Sequence, residues 1–463
     1  MANLEYGRPA WSQDSGSIFF SGGPREQFQV YRISRTGGEP VEVLKRQGCG
    51  NVAVNWRTRR MAYNFLRSGV ALEIWTSDLD GSSPQQITKD GYKALPEWSP
   101  DGSKISFLSF PDQTASIVDL KTGAIEKLGP SLSSPVWCPK EPCLGFIEGR
   151  QDFGTYQLAL MSLADGSRKL LQSTLVTNVP LNMFDKMQFF FDWSGDGKTV
   201  VWPVLTQGQV RLALIDVDRD KLLKILPTHG WASEPRFSPD GRWIAYSSEA
   251  TDHSRGIRII STEGTDDHEL TRQKEFVKGQ LIYYPSAGGL QIPSFLFRPP
   301  PADKKAKKPA IIWLHGGGGI GAALDEFDPA VQYFVANGFV VLQPNFRTSR
   351  GFAPELVTGV TGKEIVADVI AGADYLKTFE DVDRARIALF GASFGGYAVL
   401  RTITSYPNAF VAAVDINGPC DLAALYHEIP NSRPILTTQL GGSPEQAADR
   451  YREESPIHVA SRI

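Results

Sequence analysis

The chain has 463 residues, enough for two or three domains and too long for one small module. With 48 Lys+Arg against 51 Asp+Glu the net charge is -3, and no long basic run argues for nucleic acid as a main partner. Hydrophobic residues make up 41% and charged residues 21%, ordinary globular usage, and no apolar stretch reaches the roughly 20 residues that cross a bilayer. A soluble chain is expected. The start MANLEYGRPAW lacks the basic and apolar segments of a signal peptide, so a cytoplasmic location is the expectation. Cys49, Cys138, Cys143 and Cys420 form neither a disulfide framework nor a CxxC pattern, and core thiols are expected.

Residues 1–270 repeat themselves. PAWSQDSGSIFFSG, VAVNWRTRRMAYNF, PEWSPDGSKISFLS, PVWCPKEPCLGFIE, FFDWSGDGKTVVW and PRFSPDGRWIAYSS begin at Pro9, Val52, Pro96, Pro135, Phe190 and Pro235. Their aromatic anchors Trp11, Trp56, Trp98, Trp137, Trp193 and Phe237 are separated by 45, 42, 39, 56 and 44 residues. That period fits one four-stranded propeller blade per repeat, with an insertion only at the longest interval. Each copy joins an alternating strand through a turn of Pro-Asp-Gly type, and where Asp-Gly is present it supplies the positive φ that such turns need. Six blades are visible, and a seventh would have to come from other segments. The anchors are expected to pack between blades rather than to stack on a ligand at Trp98 or Trp193. The repeats resemble those of TolB-type propellers, a likeness that implies fold and not function.

From residue 271 the period changes, and this boundary separates a propeller of residues 1–270 from a second domain of residues 271–463. A hairpin pattern with Gly288-Gly289 at its turn leads to Pro299-Pro300-Pro301 and Lys304, Lys305, Lys307 and Lys308, read as a solvated connection. Strands are then predicted at 310–314, 339–343, 386–390 and 411–416, and helices at 328–337, 363–378 and 394–405. Short apolar strands alternating with amphipathic helices predict a parallel α/β sheet covered on both faces.

Two strand ends carry the chemistry. Strand 386–390 runs into Gly391-Ala392-Ser393-Phe394-Gly395-Gly396-Tyr397, a G-x-S-x-G between a strand and a helix. Glycines at 391 and 395 let the chain turn sharply, which exposes Ser393 as a candidate nucleophile near a helix N-terminus. The strand at 310–314 runs into His315-Gly316-Gly317-Gly318-Gly319, whose backbone N–H groups, with that of Phe394, are candidates for an oxyanion site. His315 precedes the nucleophile and suits a loop-bracing or substrate-facing role better than general base chemistry. No His, Cys and carboxylate cluster has ligand spacing, so neither metal nor cofactor is implied.

A TolB-like propeller followed by HGGG, PNFRTSRGF and GASFGGY resembles the prolyl oligopeptidase family of serine peptidases, over essentially the whole chain. The acylaminoacyl-peptidase and dipeptidyl-peptidase-like branches are the nearest in pattern. The resemblance implies Ser393 as nucleophile, Phe394, Gly316 and Gly317 as oxyanion residues, and Cys420 and Tyr426 in the substrate pocket. It also implies an α/β-hydrolase fold, short peptides as substrate, and a propeller that restricts their access. The chain departs from the family at Phe346 to Ala353, which read FRTSRGFA where FRGSxGYG is usual, and in having a fourth glycine after His315 where HGGP is usual.

In such hydrolases an acid and then a histidine follow the nucleophile. The candidates here are Asp415, Asp421 and Asp449 for the acid and His427 and His458 for the base, and none has an evident route to Ser393. By the resemblance, the catalytic Asp and His and the last strands are expected to lie beyond Ile463, leaving an unpaired sheet edge. The alternative readings are a non-catalytic propeller binding module with a hydrolase remnant, and an esterase.

Overall fold

The computed structural model describes the chain apart from residues 1–4, 24–27, 45–47, 68–70, 90, 132, 141, 150–154, 178, 180–189, 272–273, 301–305, 318–320 and 353–361. It comprises two compact units, one formed within residues 1–275 and the other by Phe276–Ile463.

Among the described residues the first unit is a propeller of six four-stranded antiparallel blades, at residues 5–44, 49–86, 92–130, 136–170, 192–226 and 231–269. The second and third blades share one eight-stranded sheet through a single parallel bridge, Leu72 to Tyr92. The seventh blade left open by the sequence has no place in this ring, because blade 6 packs directly on blade 1. Ala245, Ile257 and Ile259 meet Trp11, Ile18, Phe20 and Ile33 in one buried cluster. Each blade supplies one face of such a cluster, so the ring buries apolar surface that no single blade covers.

The aromatic anchors act as inter-blade ties. The indole N–H groups of Trp11, Trp56, Trp98 and Trp137 donate to the carbonyls of Arg236, Trp11, Ala53 and Glu97 on the preceding blades, at 2.9, 2.9, 3.2 and 3.3 Å. The turn after each anchor has its own chemistry. Ser12, Ser99, Ser194 and Ser238 donate to Asp14, Asp101, Asp196 and Asp240 two residues on, at 2.5 to 2.6 Å. Gly102, Gly197 and Gly241 take φ of 76°, 73° and 71°, as the Asp-Gly signature predicts.

Blade 4 solves the same turn differently and corrects the expectation for two cysteines. Cys138 stands where blades 1, 3, 5 and 6 have serine, and it forms a disulfide with Cys143, Cα to Cα 5.3 Å. The Cys138 N–H also donates to the Cys143 carbonyl at 3.0 Å, just as Ser99 donates to Lys104 in blade 3. Sequence reasoning missed this because four residues, two of them prolines, lie between the pair, a spacing shared by no standard motif. Cys49 and Cys420 are free, the first buried and the second exposed.

Charged side chains cross the middle of the ring. The Glu97 carboxylate of blade 3 accepts from both Arg8 of blade 1 and Arg236 of blade 6. In a closed ring of six, blades 3 and 6 stand opposite one another, so Glu97 reaches across the axis. Arg236 also pairs with Asp192 of blade 5 at 3.4 Å. Arg8 and Glu234 sit at strand bulges with φ of 44° and 54°, a conformation that turns the side chain out of the regular pleat.

The second unit is a mixed sheet with helices against it. Its strands are β1 (Gln280–Pro285), β2 (Gln291–Phe297), β3 (Lys308–Leu314), β4 (Val340–Pro344), β5 (Val382–Ala392) and β6 (Ala412–Ile416), in the order β1-β2-β4-β3-β5-β6. The β1–β2 hairpin is antiparallel and closes through Gly288 and Gly289, with φ of 78° and 77°. From β4 to β6 all pairing is parallel. The helices are α1 (Pro329–Ala336), α2 (Gly362–Lys377), α3 (Phe394–Ser405), α4 (Leu422–Glu428), α5 (Arg433–Leu440) and α6 (Ala448–Glu454). In α2, Ile365, Val366, Val369, Ala373 and Leu376 form the buried stripe, which faces Ile312, Leu342 and Leu389 of the sheet. Lys308 pairs with Asp381 at 3.0 Å, while Lys304 and Lys305 lie outside the described residues. Every residue of β6 is exposed, including Val414 at 45% and Ile416 at 44%, and β6 is the edge of the sheet among the described residues.

Candidate active site

Ser393 stands at the junction of β5 and α3 with φ 54° and ψ -122°, a conformation that side-chain-bearing residues rarely adopt. The turn is possible because its glycines have no room for a side chain. A Cβ on Gly391 would lie 2.3 Å from the Gly395 carbonyl oxygen, and one on Gly395 would lie 2.1 Å from the Leu314 oxygen. The Ser393 N–H donates to Ile416 of β6 at 2.8 Å, and its carbonyl accepts from Tyr397 at 3.0 Å to begin α3. The residue itself is exposed.

The glycine-rich loop after β3 runs alongside. A Cβ on Gly316 would be 3.5 Å from the Ser393 Cβ and 3.2 Å from the Ala392 oxygen, so Gly316 and Ser393 are neighbours. Gly317 takes φ 104°. Phe394 is the first residue of α3, where a backbone N–H has no partner within the helix. Gly318 and Gly319 lie outside the described residues.

The loop is braced by His315 and Arg347. His315 has Nδ1 2.8 Å from the Gly316 carbonyl and Nε2 2.7 Å from the Ser349 hydroxyl, and its ring stacks on Phe346 at 4.5 Å. Burial lowers its pKa to about 4, against a smaller opposing effect of the Gly316 carbonyl. Arg347 clasps the buried Asp368 of α2 through two nitrogens, at 2.8 and 3.0 Å. Ala353, the end of the loop motif, lies outside the described residues.

The candidate acids and bases are engaged elsewhere. Asp415 accepts from the Gly418 N–H at 2.8 Å and is wedged between Gly396 and Gly418. Asp421 caps α4, accepting from Ala423 and Ala424 at 2.9 and 3.0 Å. Asp449 and His458 are exposed, and His427 lies 3.6 Å from Glu445. Among the described residues none of them forms a hydrogen bond with the Ser393 hydroxyl, and no three His, Cys, Asp or Glu side chains converge to hold a metal ion.

Beside Ser393 opens a mainly apolar cavity of about 310 Å³. Phe394, Leu422, Leu425, Ile435, Leu436 and Leu440 supply most of its wall, with Glu454 and Tyr397 also lining it. Cys420 and Tyr426, expected in the pocket, are not among its lining residues. On α4 it is Leu422 and Leu425, three apart, that share the inward face, whereas Tyr426 turns to Tyr451 at 6.1 Å. Sequence reasoning missed α5, although Ile435, Leu436, Gln439 and Leu440 have the spacing of one helix face.

Residues 325–463 match the model of the prolyl oligopeptidase family. The chain is 31% identical over 164 residues to dipeptidyl peptidase family member 6 of Caenorhabditis elegans, an alignment covering 33% of this chain and 22% of that protein. It is 21% identical over 411 residues to dipeptidyl-peptidase 5 of Porphyromonas gingivalis, covering 84% of this chain and 53% of the relative. The acylamino-acid-releasing enzyme of Sus scrofa is 30% identical over 144 residues, 30% of this chain and 19% of that enzyme. These alignments therefore span from about a fifth to about half of the relatives' length. Among solved structures, the acylaminoacyl peptidase of Pyrococcus horikoshii shares the fold with a TM-score of 0.75 at 15% identity, over 100% of this chain and 85% of its own. Propeller repeats, the Ser393 turn and the match over residues 325–463 converge on one likeness: the hydrolase domain of this chain is similar to that of the prolyl oligopeptidase family.

Proposed function

We propose that the chain acts as a serine peptidase on short peptides, through an acyl-enzyme on Ser393. The observation that carries this reading is the exposed Ser393 on its strained turn, with Gly316 alongside and an apolar cavity beside it. The Ser393 hydroxyl attacks the scissile carbonyl, and the negative charge that develops on its oxygen is met by the backbone N–H groups of Phe394 and the Gly316-Gly317 loop. Such donors are worth about 3 kcal/mol each in the transition state. The cavity receives one side chain of the peptide, and the propeller limits which peptides arrive. Proton transfer from Ser393 and the acid that supports it are assigned to no residue among these 463.

The test is labelling of the native protein, purified from its own cells, with a peptidyl phosphonate, followed by mass mapping. One adduct on Ser393, absent from Ser393→Ala, together with cleavage of peptide anilides, is the expected result. Turnover of p-nitrophenyl esters without any amide cleavage makes the protein an esterase instead. Unlabelled Ser393 and intact peptides end the reading.

A further inference from the structure

Glu454 is the last residue of α6 and only 5% exposed, yet its carboxylate lines the cavity beside Ser393. One of its oxygens, Oε2, gathers three donors from two other elements. The Gly362 N–H at the start of α2 donates at 2.9 Å and the Tyr397 hydroxyl of α3 at 3.1 Å, while Arg401 Nη2 of α3 lies 3.4 Å away. Gly362, Tyr397 and Glu454 all line the cavity. The carboxylate also meets the positive end of α2, where the first N–H groups lack partners within the helix.

The knot is closely packed. A Cβ on Gly362 would lie 2.3 Å from Glu454 Oε2, 2.7 Å from Arg401 Nε and 2.9 Å from the Tyr397 oxygen. Glycine at 362 is therefore what allows the carboxylate to seat between the two helices. Its charge is met in place by Arg401, so the wall carries no unspent anion for a cationic side chain. Most of the remaining lining is leucine, isoleucine, phenylalanine and proline, and the polar residues beside Ser393, namely Thr348, Asn417, Ser432 and Gln439, are uncharged.

Resting on the reading of the cavity as a side-chain pocket, we propose that Glu454 is a specificity-determining positioning residue. By fixing Tyr397 against the start of α2, it holds one wall of the cavity in the shape that takes a large apolar side chain. Glu454 touches neither the reacting atoms nor the nucleophile; it acts through Tyr397 and Gly362.

The test uses product-like ligands that need no turnover, N-acetyl-L-phenylalaninamide and N-acetyl-L-alaninamide, with binding to the full chain read by calorimetry. Wild type binds the phenylalanine ligand at least about tenfold more tightly, the factor expected for burying the larger side chain. Glu454→Ala loses that preference while its affinity for the alanine ligand stays within about twofold, and Glu454→Gln, which keeps the acceptor, retains the preference. Gly362→Ala, whose new methyl displaces the carboxylate, reproduces Glu454→Ala and serves should that variant fail to fold. A tenfold preference surviving in Glu454→Ala or Gly362→Ala overturns the role of Glu454 and leaves the pocket reading intact. Wild type that does not discriminate between the ligands overturns the pocket reading, and the role of Glu454 with it.

Discussion

The Nε2 atom of His315 lies 2.7 Å from the Ser349 hydroxyl oxygen, which is itself 2.6 Å from the Phe346 carbonyl oxygen. The histidine next to the glycine loop is thus a strut between two loops. Its pKa of about 4, against about 6.5 in the unfolded chain, gives the protein a definite pH response. Above pH 6.5 the ring is neutral in both states and has no effect. Between pH 6.5 and 4 the unfolded chain takes up a proton that the folded chain does not, so stability falls as pH falls, by up to about 3 kcal/mol. Urea unfolding of wild type and His315→Gln at pH 7.5 and pH 5 should show wild type losing more stability than the variant over this interval. Ser349→Ala should cost about 1–2 kcal/mol at neutral pH by stranding the ring nitrogen.

Ser393 pays for its exposure with backbone strain at φ 54°. Ser393→Gly is expected to raise stability over Ser393→Ala by about 1–2 kcal/mol, because glycine adopts this conformation freely. Chemical denaturation of the two variants measures it; equal stability would mean the turn holds no strain.

Glu97 holds blades 1 and 6 from the far side of the ring, with Arg8 fully buried behind it. Removing the carboxylate leaves two guanidinium groups short of a partner. Glu97→Ala should therefore cost about 3–5 kcal/mol, and Glu97→Gln less. Hydrogen exchange in this variant should quicken first at the seam between Arg8 and Glu234, whose backbone-to-carboxylate bond of 2.8 Å spans blades 1 and 6.

Asp192 beside Arg236 is raised to about 6 by burial, partly opposed by the guanidinium. An acid raised in this way weakens the fold above pH 6, and the loss is relieved as pH falls from 6 towards 3.8. The stability of Asp192→Asn relative to wild type should consequently be higher at pH 8 than at pH 5, by denaturant titration at both values.

The disulfide of blade 4 closes a loop of only a few residues, for which the chain-entropy relation gives about 2 kcal/mol. Cys138→Ser/Cys143→Ser should lose about that much. Adding Lys140→Asp to the pair rebuilds the serine-aspartate turn of blades 1, 3, 5 and 6, and about 1 kcal/mol of the loss should return on thermal unfolding.

What the sequence determined by itself is local. The six anchors, the Asp-Gly turns at Gly102, Gly197 and Gly241, and the bend at Gly391-Ser393-Gly395 depend on residues a few positions apart. Alternation and turn chemistry act at that range, so they are legible in one dimension. The helix at Phe394–Ser405 follows in the same way from the turn that begins it. Tertiary structure decided the rest. That six blades close the ring is settled by Trp11 against Ile259, at opposite ends of the propeller sequence. Leu425 rather than Tyr426 lines the cavity because of where α4 packs, and Glu454 meets Gly362 only because two helices converge. The position of Glu97 across the axis is likewise a property of the closed ring. No period or spacing encodes such contacts, since they arise when surfaces remote in sequence are buried together.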